Sequence, residues 1–184
     1  GVQTCALPIS GFARSKAFRA LAGAAAVLCL GLVGFLAWKA PGTHRELSAT
    51  LQERLQGGDR VAFVDEYFYD VPFGARLPLH EAPVIVVSAW DDPEVPRHDN
   101  WRKELFDATR FAADRGRSTL WTWDRASALP CSAAAGRQVW LLVPAEHATR
   151  VSQVLPAVEK VQEVRGVHLL RVAAASDRAA CAGS

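Results

Sequence analysis

The chain of 184 residues has no methionine, only 2 tyrosines and a net charge of just +2. With 21 Lys and Arg against 19 Asp and Glu, there is no basic footprint of the kind a nucleic-acid partner requires. GxGxxG, GxxxxGK[ST], GxSxG and CxxC are all absent. No glycine-cradled phosphate, nucleophile elbow or redox pair is therefore read here, and no cofactor is expected. The missing methionine and the odd opening GVQTCALPIS agree with an N-terminally incomplete product. Residues 1–10 resemble sequencing-adapter read-through, so 1–16 is treated as an artefactual or disordered leader.

The most informative absence is local. Residues 20–38, ALAGAAAVLCLGLVGFLAW, hold no charged side chain. About 19 residues is what one α-helix needs to cross the hydrocarbon core of a bilayer. Arg14, Lys16 and Arg19 precede the run and only Lys39 follows closely, which keeps the N-terminal side in the cytoplasm by the positive-inside bias. The expectation is a transmembrane helix over 17–40 and an exported domain over 41–184. A cleaved signal peptide and a buried soluble helix are the competing readings. Trp38-Lys39-Ala40 is a poor small-x-small cleavage site, and an all-round apolar surface is unlike that of an amphipathic core helix.

Of the 4 cysteines, Cys29 falls in the apolar run. Cys131 and Cys181 fall in the exported part, where an oxidising compartment makes them a disulfide candidate. A bridge closing about 50 residues stabilises by roughly 4 kcal/mol in the chain-entropy model. Two free thiols are the alternative.

Beyond Pro41 and Gly42, Thr43 and Glu46 fit a capping box. Leu47, Leu51 and Leu55 form the apolar stripe of the helix it would start. Strands are expected over 60–64, 83–88, 119–123, 139–143 and 167–173. Helices are expected from Asp99-Asn100 through Ala112, briefly over 129–136, over 145–155, and over 158–166, where Val158, Val161 and Val164 keep a period of three. Strands alternating with helices, two of them continuous apolar runs, indicate a Rossmann-like three-layer α/β domain with a mostly parallel sheet.

Several polar groups invite a functional reading. Tyr67 and Tyr69 sit in YFYDVPFG, either a sugar- or lipid-contacting loop or a plug at the edge of the core. Asp91 and Asp92 follow a strand and would serve as acid and base or cation ligands, or else as a turn with Asp92 capping before Pro93. His98 stands just before a helix cap and would act with them only if all three converged. No His or Cys stands beside the aspartates at metal-ligand spacing.

The segments YFYDVPFGARLPLHEAPVIVVSAWDDP and RHDNWRKELFDATRFA resemble the C-terminal exported domain of bacterial membrane glycosyltransferases. That family is related to the protein O-mannosyltransferases and to the enzyme that places aminoarabinose on lipid A. The resemblance rests on the DVPF segment, the W-D-D-P turn and the D-N-W-R-K-E-L helix start. It implies an inner-membrane location with a periplasmic C-terminal domain. The implied partners are the lipid bilayer, further membrane helices of the same enzyme and, through them, a polyprenyl-phosphate sugar donor. In that family the catalytic acids lie in an early exported loop, which has no counterpart here, so no catalytic residue is carried over. The chain alone is then expected to be inactive. The alternative is a single-span anchored binding or interaction domain of the cell envelope.

Overall fold

The structure, a computed structural model, describes residues 16–39, 43–80, 84–155, 157–175 and 181. The leader, the helix stop at Pro41 and Gly42, and most of the tail after 175 lie outside the described residues. The chain divides into two units, Gly1–Gly42 and Thr43–Ser184.

The first unit contains α1, Lys16–Lys39. Its Ala- and Leu-rich sequence has no proline and suits a continuous helix. The stretch Phe18–Leu36 is long and apolar enough to cross a membrane, and none of it is buried. Leu28 and Leu30 are more than seven-tenths exposed, at 72% and 73%.

The second unit runs α2 (Arg45–Arg54), β1 (Arg60–Val64), α3 (Asp70–Gly74), β2 (Ile85–Val87), α4 (Trp101–Ala108), α5 (Ala113–Thr119), β3 (Leu120–Trp121), a 3₁₀ segment (Trp123–Cys131), β4 (Gln138–Pro144), α6 (Ala148–Val154), β5 (Glu159–Val164) and β6 (Val167–Ala173). The sheet order is β3-β2-β1-β4-β6-β5. β3, β2, β1 and β4 pair in parallel, whereas β6 pairs antiparallel with both β4 and β5.

Alternation along the strands gives the sheet two apolar faces. Ala62, Val64, Val87, Leu141 and Val143 share one core with Leu129 of the 3₁₀ segment and Val151 of α6. Phe63, Val86, Trp140, Leu142 and Leu169 share the other with Leu47 and Leu51 of α2 and Val71 of α3. The architecture is α/β with helices on both faces and a mostly parallel sheet.

Four local expectations are corrected. Residues 159–164 form strand β5, not a helix. Its charged residues face solvent at the sheet edge, and a tight turn at Arg165 and Gly166, both with positive φ, folds it onto β6. The capping box does not form. α2 begins after His44 without a side-chain cap, and the His44 backbone N–H donates to Asp70 Oδ2 at 2.6 Å instead. α4 ends at Ala108, short of Ala112, with Asn100 Oδ1 accepting from the N–H groups of Arg102 and Lys103; Trp101 is half-buried. The strand expected over 119–123 is reduced to β3, because α5 occupies the residues up to Thr119.

Candidate functional site

Open parallel sheets present ligand crevices beyond the carboxyl ends of their strands, where the strand order reverses. Here β1 leads outward to β2 and β3, and the chain then returns to place β4 on its other side. The reversal lies between β1 and β4. Asp65 follows β1 directly, and His147 stands three residues past the end of β4. His147 Nδ1 lies 3.8 Å from Asp65 Oδ2.

Asp65 has φ of 50°, a left-handed conformation that Asp tolerates better than most side chains. Two bonds hold it there. Its N–H donates to the Val87 carbonyl at 2.8 Å, and its Oδ2 accepts from Trp123 Nε1 at 3.1 Å. Arg150, in α6, lays its guanidinium 3.8 Å from the centroid of the Trp123 ring. Ser88 follows β2 and is 1% exposed, and its hydroxyl has no hydrogen-bond partner among the described residues.

Asp65, Ser88, Trp101, Arg102, Trp123 and Arg150 line one open cleft of about 360 Å³. Two guanidiniums face one carboxylate, so the cleft carries a surplus of positive charge. Such a set can bind and orient an anion. It does not resemble a metal site, and no group of three or more His, Cys, Asp or Glu gathers for one among the described residues.

The residues singled out in the sequence lie elsewhere. Asp91 is exposed. Asp92 Oδ1 accepts from the Glu94 N–H at 2.9 Å, and His98 Nε2 sits 3.3 Å from Glu94 Oε2 with its side chain 69% exposed. These three residues belong to one turn, and none of them lines the cleft. Tyr67 and Tyr69 meet edge to face at 4.8 Å. Tyr69 donates its hydroxyl to Glu104 Oε2 at 2.8 Å. Burial, then the hydrogen bond and the charge of Glu104, push its phenol up to about 12. Burial also raises the Tyr67 phenol. Tyr67 lines a separate apolar cavity of about 250 Å³ with Leu79, Val84 and Leu105. Cys131 and Cys181 are bonded as a disulfide, with Cα atoms 5.7 Å apart.

Asp65 and Ser88 of the cleft, and His147 beside Asp65, were visible in the sequence only as polar side chains past apolar strands. Asp65 follows RVAFV, Ser88 follows IVV and His147 follows QVWLLVP. Their convergence depends on the strand order, which that signal does not contain.

No family model matches the chain, and no curated protein matches it. The crystal structure of ArnT from Cupriavidus metallidurans bound to undecaprenyl phosphate is similar at a TM-score of 0.48 and 12% sequence identity. The likeness covers 69% of this chain and 19% of that one, so this chain spans less than a fifth of ArnT's length.

Proposed function

We propose that this chain is the exported α/β domain, with its adjoining membrane helix, of a bacterial membrane glycosyltransferase. Such an enzyme moves a sugar from a polyprenyl-phosphate carrier to a lipid, glycan or protein acceptor. The domain is accessory: it caps the active-site cavity, steadies the membrane bundle or helps admit the acceptor, and the reacting groups lie in an exported loop elsewhere in the same enzyme. The observation that carries this reading is α1, with an apolar stretch Phe18–Leu36 whose surface is free to face lipid. The sequence resemblance supports it. Its three segments supply the core plug formed by Phe68 and Val71, the turn at Asp92 and the capped start of α4.

The test is direct. The purified chain in nanodiscs, given a polyprenyl-phosphate-linked sugar and a candidate acceptor, is expected to transfer none. Transfer would overturn the accessory role. The genomic DNA upstream of codon 11 is expected to encode further membrane spans, and a start codon there would favour a single-span anchored binding domain instead. The carboxyl-edge cleft is the observation that favours this second reading, since it gives the domain a ligand site of its own.

A further inference from the structure

We infer that the cleft at the carboxyl edge of the sheet binds a phosphate-bearing organic ligand, gripped by Arg102 and Arg150. Neither guanidinium makes a hydrogen bond or ion pair among the described residues, although other arginines of the domain do, as Arg97 does with Glu94 at 2.6 Å. Among the described residues the acid that lines the cleft is Asp65, already engaged by Trp123 and facing His147. Arg150 is held against the Trp123 ring, so little side-chain freedom is lost when it takes up an anion. The planar guanidinium fork matches two phosphoryl oxygens at once.

Asp65 opposes a bare anion but accepts a bond from a hydroxyl. The ligand therefore carries both a phosphate and a hydroxylated organic part, for which a cleft of about 360 Å³ leaves room. Its source is either a soluble sugar phosphate or the headgroup of an anionic lipid. The inference does not rest on the glycosyltransferase reading. Phosphate binding tests the cleft alone, and sugar transfer tests the other.

The test uses the full chain in a phosphate-free detergent. Trp101 and Trp123 line the cleft, so tryptophan fluorescence reports occupancy, with calorimetry as the second readout. The probes are inorganic phosphate, glucose 1-phosphate, short-chain phosphatidylglycerol and, as an uncharged control, glucose. Saturable binding is expected for glucose 1-phosphate or phosphatidylglycerol, tighter than for inorganic phosphate and absent for glucose. Preference between the first two identifies the soluble or the lipid source. Arg102→Ala, which leaves the Trp123 stack intact, is expected to weaken binding about tenfold, and Arg102→Ala with Arg150→Ala to abolish saturation. Arg97→Ala is expected to bind as the parent does. Failure of all three phosphate probes to saturate overturns the inference, as does unchanged affinity in the double variant or equal loss in Arg97→Ala.

Discussion

Asp59 is 6% exposed, and its carboxylate accepts three hydrogen bonds. Oδ2 takes the Gln56 N–H and Trp140 Nε1, each at 3.0 Å, and Oδ1 takes the Gln138 N–H at 2.9 Å. One side chain thus ties the turn after α2 to the start of β4. Asp59→Ala would leave the buried Trp140 N–H without an acceptor, along with one or two backbone donors. At roughly 1–3 kcal/mol per buried orphan, we expect a loss of about 3 kcal/mol, read from urea unfolding followed by tryptophan fluorescence. Asp59→Asn keeps an acceptor oxygen and should cost less. A loss no larger than that of an exposed control such as Asp114→Ala would refute the tie. Asp70 makes a comparable link to His44, whose ring Nδ1 lies 3.1 Å from Oδ1. Burial pushes the Asp70 carboxyl up, but the His44 side-chain and backbone hydrogen bonds and the His44 charge outweigh it and leave it below its ordinary 3.8. A carboxyl depressed in the folded state stabilises fully above its unfolded value, and that stabilisation fades as pH falls through the folded value. The unfolding midpoint of Asp70→Asn should therefore lie below the parent's near neutral pH. The two should converge as pH drops below about 4. A gap that stays constant across that range would show that Asp70 contributes by shape alone.

At the scale of elements, α3 lies so close to α2 that a Cβ on Gly74 would stand 2.8 Å from Ser48 Cβ. Ser48 is 3% exposed, so it has little room to retreat. Gly74→Ala should destabilise by roughly 1–3 kcal/mol through overpacking, and adding Ser48→Gly should recover part of that loss in a double-mutant cycle. Strictly additive losses would mean that the two residues do not compete for the space. The α2–α3 contact was not readable from either segment, because a close approach is a property of two elements. What was readable follows the same division. The apolar runs of β1, β2 and β4 announce strands buried on both faces, and the Asn100 cap announces α4. β5 misled because Val158, Val161 and Val164 keep a helical spacing by chance, and a half-solvated edge strand has only a weak apolar period of its own. Its true signal was the Arg165-Gly166 pair between two valines, a two-residue hairpin loop with both residues at positive φ. The cleft was hidden for a related reason. Arg102, Trp123 and Arg150 come from three different connections, and only the sheet order brings them around Asp65 and Ser88.

The whole molecule comprises a helix long and apolar enough to cross a membrane and a domain in which a disulfide links two cysteines 50 residues apart. The Cys131–Cys181 disulfide fastens residue 181 to the end of the 3₁₀ segment. A closed loop of this length stabilises by about 4 kcal/mol if the denatured chain gives up the corresponding entropy. Reduction, or Cys131→Ser with Cys181→Ser, should lower stability by an amount of that order. Mass analysis without reductant should find the bridge as a cross-linked peptide pair. Recovery of both cysteines as free thiols from the oxidised protein would contradict it. Oxidation there also bears on topology, since a persistent bridge requires the domain to sit outside the reducing cytoplasm. The remaining thiol of the described residues, Cys29, lies within Phe18–Leu36 and is exposed. If that helix spans the bilayer, Cys29 lies within the hydrocarbon core, out of reach of water-borne reagents. In a Cys5→Ser background, a membrane-impermeant maleimide should leave Cys29 unlabelled in intact membranes and label it once detergent is added. Alkaline carbonate should fail to extract the chain. Protease added to spheroplasts should degrade the domain while sparing a fragment that contains α1. Labelling of Cys29 in intact membranes, or release of the chain by carbonate, would mean that the apolar stretch lies outside the bilayer, and the membrane reading would fall with it.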